Sequence, residues 1–156
     1  KIWLRYHASG DVTGIKLPAV AEKPQRTDNL WETTCFELFL RKPDEPEYCE
    51  LNFSPSGNWA AYSFHCYREK MEPFALSQSP EIFMDFSDSH VALEVTLGLS
   101  DIWTRNELDA GLSAVVEMHS GLWRIPPLSR IFIIRMDLRS KWRRRNVDKI
   151  WDRQAD

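Results

Sequence analysis

Hydrophobic and polar residues alternate along the chain from Leu30 and Trp31 to Tyr67. This stretch reads LWETTCFELFL, then YCELNF and WAAYSFHCY, with polar turn-forming residues between the runs. Because side chains of a β-strand point to opposite faces with a period of two, the alternation predicts three strands. The connections contain Pro43, Pro46 and Gly57, and these residue types favour turns. The pattern therefore predicts an antiparallel sheet built from consecutive hairpins.

The predicted sheet has an apolar face and a mixed face. Aligning the apolar sets of the first two strands gives these opposed pairs: Phe36 and Leu51, Leu38 and Cys49, Glu37 and Glu50, Cys35 and Asn52. On the third strand, the predicted core residues are Ala60, Tyr62, Phe64 and Cys66. Its predicted mixed-face residues are Trp59, Ala61, Ser63 and His65. Aromatic, acidic and amide side chains therefore share one predicted face.

Short apolar runs separated by turns continue on both sides of this stretch. Further strands are predicted at 2–7, 12–17, 74–76, 81–86, 91–97, 112–118 and 130–136. Helical turns are predicted at 68–72 and 100–103. Many short strands with almost no helix are typical of a sandwich or barrel. We predict an all-β antiparallel β-sandwich of jelly-roll or immunoglobulin-like type over residues 1–137, followed by a basic tail at 138–156.

Several segments occur together in an order typical of a known family. They are LWETTCFELFL, YCELNFSPSGNWAAYSFHCYREKM, LEVTLGLSDIW and GLSAVVE, with NFSPSG at 52–57 and WAAY at 59–62 the most specific. This set resembles the bacterial DOMON-like domains, relatives of the family-nine carbohydrate-binding modules, over about residues 2–117. The resemblance implies a jelly-roll-like β-sandwich that binds a small ligand, with sugar or haem as ligands of the wider superfamily. It implies no catalytic residues.

Both ends of the chain depart from that family pattern. Family members show Trp-Ala-Leu, His-Pro and Pro-Asp-Phe-His elements after the last matching strand, whereas this chain has WRIPP at 123–127. Family members also carry a longer N-terminal segment, whereas Lys1 lies next to the first predicted strand. We therefore expect the given chain to start within the domain.

The mixed face and its adjoining turn supply a candidate ligand site. Its predicted residues are Trp31, Glu37, Glu50, Asn52, Ser54 and Trp59. Indole faces stack on the apolar faces of pyranose rings, while carboxylates and amides bind hydroxyl groups. The sequence thus favours a non-catalytic module that binds a carbohydrate or a related small molecule. The alternative for the tryptophans is packing in the core of the sandwich.

Glu37 and Glu50 form the one acidic pair with a catalytic interpretation. Two carboxylates on neighbouring strands repel each other unless something compensates. Such a pair can serve glycoside hydrolysis, hold a cation or form salt bridges with Arg5, Arg41 or Arg68. Because no spacing in the sequence indicates the deep cleft of a hydrolase, we expect no enzymatic activity.

Cofactor and metal motifs give little support to other functions. Haem ligands are available as His7, His65, His90, His119, Met71 and Met118, but there is no Cys-x-x-Cys-His motif. Cys35, Cys49 and Cys66 lack paired zinc spacing. We expect no metal and no resident cofactor. A haem-binding electron-transfer domain stays as one alternative, and a structural sandwich that contacts a protein partner stays as another.

Composition and charge limit the remaining classes. The 156 residues are 43% hydrophobic and 28% charged, which is ordinary for one soluble domain. No apolar run of about 18 residues and no leader are present, so we expect neither a membrane span nor a signal peptide. An odd count of 3 cysteines favours free thiols and a cytoplasmic location. The basic tail contains interleaved aspartates and the net charge is −3, so we expect no nucleic-acid binding.

Overall fold

The chain folds as two antiparallel β-sheets packed face to face. The structure, a computed structural model, describes residues 1–98, 108–119 and 121–125, with residues 122–125 described by their backbone. The strands in these ranges are β1 (Ile2–Ser9), β2 (Cys35–Arg41), β3 (Tyr48–Phe53), β4 (Trp59–Phe64), β5 (Glu72–Pro73), β6 (Glu81–Ser87), β7 (His90–Leu97), β8 (Asp109–Met118) and β9 (Gly121–Ile125). A 3₁₀ turn, Leu30–Glu32, precedes β2. The predicted all-β class is confirmed.

The two sheets enclose one hydrophobic core. The smaller sheet has the order β1-β7-β6 and the larger sheet has the order β5-β4-β3-β2-β8-β9. Alternate side chains of strands from both sheets meet between them, because successive side chains of a strand point to opposite faces. The fully buried members of this core include Leu4, Leu38, Leu51, Leu93 and Val95. The predicted β-sandwich is therefore confirmed.

The structure corrects several predicted elements. Residues 12–17 are not a strand, because Ile15 donates to the Val12 carbonyl in a turn and makes only an isolated bridge to Met118. Residues 74–76 are not a strand either, and the two-residue β5 pairs with β4 instead. A tight turn from Cys66 to Glu69 replaces the predicted helical turn at 68–72. β9 was not predicted. The turn at 100–103, the strand at 130–136 and the boundary at residue 137 lie outside the described residues.

The register of β2 against β3 differs from the predicted one. Glu37 faces Asn52 and Leu38 faces Leu51, so the predicted Glu37 to Glu50 pairing is wrong. The connection turns around Asp44, which adopts a left-handed φ of 63°. The centre of this turn therefore lies one residue later than predicted. As a result, each residue of β2 faces the β3 residue two positions after the predicted one. A shift of two keeps each side chain on its predicted face.

β4 presents the opposite faces from those predicted. Trp59 faces Phe53, and Ala61 faces Leu51, so Trp59 and Ala61 belong to the core. Tyr62 and its even-numbered neighbours lie on the other face of the sheet. The reason is the hairpin connection, which the Ser54 amide closes on the Asn58 carbonyl. This closure makes Phe53 and Trp59 direct partners, and direct partners share a face.

Candidate functional site

The face of the larger sheet that points away from the core, called here the outer face, carries three polar residues of the predicted site. Across neighbouring strands, Asn52 lies beside Glu37, and Glu37 lies beside Ser113. The adjacent line of residues contains Glu50, which lies beside Tyr62. Asn52 and Glu37 are buried, with 0% and 6% of their surface exposed. Two carboxylates and an amide are thus brought together on one patch.

The two polar atoms of the Asn52 side chain differ in their hydrogen bonding. Its Nδ2 donates a hydrogen bond of 3.1 Å to Oε1 of Glu50. Its Oδ1 has no hydrogen-bond partner within the described part of the chain. A carboxylate can only accept, so the amide nitrogen must face Glu50 and the oxygen must point elsewhere. A buried acceptor without a partner costs about 1–3 kcal/mol, so this oxygen is an unsatisfied acceptor beneath the surface of the patch.

Aromatic side chains surround the polar patch. We call them, with their apolar neighbours, the outer cluster, whose buried members are Leu30, Cys35, Tyr48, Ala60, Tyr62 and Phe64. Trp31 and Phe39 are partly buried against it. The Trp31 ring meets the Tyr62 ring edge to face, with centroids 5.5 Å apart. Trp31 therefore flanks the patch from the 3₁₀ turn and keeps part of its indole exposed.

The segment before the 3₁₀ turn is fixed onto β4. Its backbone pairs with Trp59, which accepts from Thr27 at 2.9 Å and donates to Gln25 at 3.2 Å. The Tyr62 hydroxyl donates to Oδ1 of Asp28 at 2.6 Å, and Arg26 lies 2.8 Å from the same oxygen. These contacts hold the segment that carries Trp31 against the outer face.

This anchoring contact shifts two pKa values in opposite directions. Burial, followed by the hydrogen bond to Asp28, raises the pKa of Tyr62 to about 12. The same hydrogen bond, followed by Arg26, lowers the pKa of Asp28. The donor therefore stays protonated and the acceptor stays charged across the neutral range. The sequence prediction missed both residues, because Tyr62 reaches this face through the pairing of Phe53 with Trp59, which alternation alone does not determine.

Two predicted site residues lie away from the patch. Trp59 is in the core between the sheets, with 7% of its surface exposed. Ser54 is buried in the hairpin connection, where its Oγ accepts from the Ser56 amide at 3.2 Å and from the Ser56 hydroxyl at 2.9 Å. The structure thus brings Glu37, Glu50 and Asn52 together, adds Trp31 at the margin, and leaves Trp59 and Ser54 in structural positions.

The thiols offer no second chemical centre. Cys35 lies in the outer cluster, and burial, followed by the charge of Glu37, raises its pKa well above the usual range. Cys49 lies in the core, and burial raises its pKa to about 11. All three cysteines are free. Within the described ranges, no group of His, Cys, Asp and Glu side chains is arranged to hold a metal ion.

Membrane insertion through a helix finds no support in the residues that the structure describes, because none of their helices is long and apolar enough to cross a bilayer.

Comparisons with known proteins returned nothing: no family model, no curated protein and no solved structure matches the chain. The resemblance to DOMON-like domains therefore stays a prediction from the sequence.

Proposed function

We propose that this chain is a non-catalytic DOMON-like module that binds a small ligand on the outer face, and that the ligand is a carbohydrate or a similar hydroxyl-rich molecule. The observation that supports this most is that Oδ1 of buried Asn52, next to the carboxylate of Glu50, has no hydrogen-bond partner among the residues that the structure describes. A native structure retains an unsatisfied buried acceptor at a cost, and a ligand that displaces the side chains covering this oxygen and donates to it would recover that cost.

The polarity of the patch favours a ligand that donates hydrogen bonds. The Asn52 oxygen and the carboxylates of Glu37 and Glu50 are all acceptors. Sugar hydroxyl groups are donors, and several of them project from one ring. The partly exposed indole of Trp31 provides an apolar surface at the margin of the patch, as stacking on a pyranose requires. Donors and a flat apolar face together are what a sugar presents.

Binding fits the acidic pair better than hydrolysis does. A glycosidase acid must be protonated before it can protonate the leaving group. The amide of Asn52 donates a hydrogen bond to Oε1 of Glu50, so this oxygen is an acceptor and is not the one that could carry such a proton. The two carboxylates also lie on offset positions of neighbouring strands, since Glu37 faces Asn52 and Glu50 faces Phe39. We therefore propose no catalytic role for either one.

The haem alternative has no supporting observation in the part of the chain that is described. His7 and His90 lie on the smaller sheet, where their rings stack 6.0 Å apart. His65 is largely exposed and lies 3.8 Å from Glu47. A protein-partner surface on the outer face stays a further alternative, which the experiment below separates from sugar binding.

A glycan array, followed by calorimetric titration of the best binder, tests the proposal. Glu50→Gln and Asn52→Leu should each weaken binding about tenfold or more, equivalent to about 1.4 kcal/mol. Glu94→Gln is the matched control, because Glu94 pairs with Arg5 on the other sheet, and it should bind like wild type. The proposal fails if no glycan binds at about 1 mM, or if the control loses as much affinity as Glu50→Gln. A Soret band after haem addition to the same sample would support the haem alternative instead.

A further inference from the structure

β6 is an open edge of the smaller sheet. It pairs with β7 along its whole length, and no described strand pairs with its other side. Five of its 7 residues are exposed. β1, at the opposite edge of the same sheet, exposes only Ser9. An uncovered edge presents unpaired backbone N–H and C=O groups, which favours pairing with another strand.

The apolar residues of β6 make this edge unusual for a protein surface. Phe83 is 66% exposed and Phe86 is 61% exposed. Phe86 lies on the same face of β6 as Ile82 and Met84, both of which pack against the core. The inward apolar line of β6 therefore continues to Phe86, although most of that ring remains exposed. A second apolar strand alongside β6 would cover it.

Among the registers that overlap most of β6, its charges select one way for the strand to pair with itself. We propose that β6 pairs antiparallel with β6 of a second copy of this chain, with Met84 at the centre. A centre at Phe83 would place Glu81 opposite Asp85, and a centre at Asp85 would place that carboxylate opposite its own copy. Like charges directly opposite each other destabilise a strand pair. The Met84 centre avoids both clashes.

The same register also pairs apolar residues with each other on the inner side of the sheet. It places Phe86 opposite Ile82 of the second copy on the inner side, and Phe83 opposite Asp85 on the outer side. Two sheets of three strands become one sheet of six. A single strand from each copy is a small contact compared with stable interfaces of about 1,200–2,000 Å². We therefore infer a dimer that forms with rising concentration, independent of ligand binding on the other sheet.

Sedimentation velocity of the full chain from about 10 μM to about 1 mM measures this association. Wild type should shift from monomer to dimer, and Phe86→Ser should raise the dissociation constant about tenfold or more. Phe86 is largely exposed, so this variant keeps the fold. A wild type that stays monomeric at about 1 mM overturns the proposal, as does an unchanged constant for Phe86→Ser.

Disulfide cross-linking tests the register, in a Cys66→Ser background that removes the one thiol that is not buried. The double variant Phe83→Cys with Asp85→Cys should form a covalent dimer under oxidation, because opposed positions lie about 4.5–5.5 Å apart. Each single variant should form no covalent dimer, because its new cysteine meets its own copy only on the diagonal, about 7–8 Å away. A covalent dimer from either single variant, or none from the double variant, overturns the Met84 register.

Discussion

The hydroxyl of Tyr6, on the smaller sheet, donates a hydrogen bond of 2.9 Å to the backbone carbonyl of Glu37 on the larger sheet. Tyr6 is fully buried, and its ring lies 5.0 Å from the ring of Phe36. Burial, followed by the nearby Cys35 and Glu37, raises the pKa of Tyr6 well above its usual range, so the hydroxyl remains a donor. One polar contact thus crosses the core and ends on the strand that carries the candidate site.

Removal of this hydroxyl should lower stability without changing the fold. We expect Tyr6→Phe to reduce the free energy of unfolding by about 1 kcal/mol, because one buried hydrogen bond is lost while the ring still fills the core. Urea unfolding measures the change. Tyr67→Phe is the control, because Tyr67 is 44% exposed and its loss should stay under about 0.5 kcal/mol. Equal losses in the two variants would contradict a special role for Tyr6.

Substitutions of Trp59 and Trp31 should affect different properties, stability for Trp59 and ligand binding for Trp31. Trp59 is in the core, so Trp59→Phe should lower the free energy of unfolding by about 1–3 kcal/mol and leave ligand affinity unchanged. Trp31 is partly exposed beside Tyr62, so Trp31→Ala should cost about 1 kcal/mol or less in stability and weaken sugar binding. Parallel urea unfolding and calorimetric titration test both variants. The opposite assignment of effects would show that Trp59, and not Trp31, contacts the ligand.

Alternation with a period of two predicted most of the longer strands but not how they pair. β6 was predicted at 81–86 and is found at Glu81–Ser87, while β7 was predicted at 91–97 and is found at His90–Leu97. The registers depend on turn geometry instead. The left-handed φ of Asp44 and the closure of Ser54 on Asn58 moved the pairing of β3 with both of its predicted neighbours. Neither the left-handed conformation of Asp44 nor the closure of Ser54 on Asn58 produces a periodic pattern in the sequence.

The site residues were predictable where alternation within a single strand determines the face of the sheet on which a side chain lies. Glu37 was assigned to the outer face from β2 alone, and Asn52 and Glu50 were assigned from β3 alone, so all three were placed together. Trp59 was misplaced because its face depends on the connection between β3 and β4. The contact of Tyr62 with Asp28 joins residues 34 positions apart, and no local pattern encodes such a contact.

Buried thiol and phenol groups should make the fold unstable in alkali. Burial raises the pKa of Cys49 to about 11 and that of Tyr48 to about 12, from ordinary values of 9.0 and 10.0. The unfolded chain therefore loses these protons at lower pH than the folded chain. Their stabilising contribution is complete below the ordinary values and is lost as the pH rises through the raised ones. The free energy of unfolding should change little up to about pH 8 and fall between about pH 9 and 12.

Urea unfolding at intervals from pH 7 to pH 11 measures this fall. Tyr48→Phe is the informative variant, since it removes one titrating group and keeps the ring stacked 4.6 Å from Phe64. Its stability should decline less steeply above about pH 10 than that of wild type. Stability that stays level through pH 11 would show that these side chains reach solvent in the folded state.

The carboxyl group of Asp28 should report whether Tyr62 anchors the segment that carries Trp31. The Tyr62 hydroxyl is the main cause of the lowered pKa of Asp28, ahead of Arg26. Tyr62→Phe should therefore raise the pKa of Asp28 towards its ordinary value of 3.8. A lowered carboxyl pKa stabilises the fold above the ordinary value, and this contribution is lost as the pH falls through the lowered one. In Tyr62→Phe, protonation of Asp28 at low pH should therefore lower the free energy of unfolding by less than it does in wild type.

A carbon-13 NMR titration of the aspartate carboxyl groups measures this shift directly. Asp11 is the internal control, because its pKa is lowered by hydrogen bonds from Thr13, far from the outer face. The Asp11 curve should be the same in wild type and Tyr62→Phe, while the Asp28 curve moves to higher pH. If Asp28 titrates identically in both proteins, its contact with Tyr62 does not persist in solution. The position of Trp31 beside the patch would then depend on other contacts, such as the backbone pairing to Trp59 and the ring contact with residue 62.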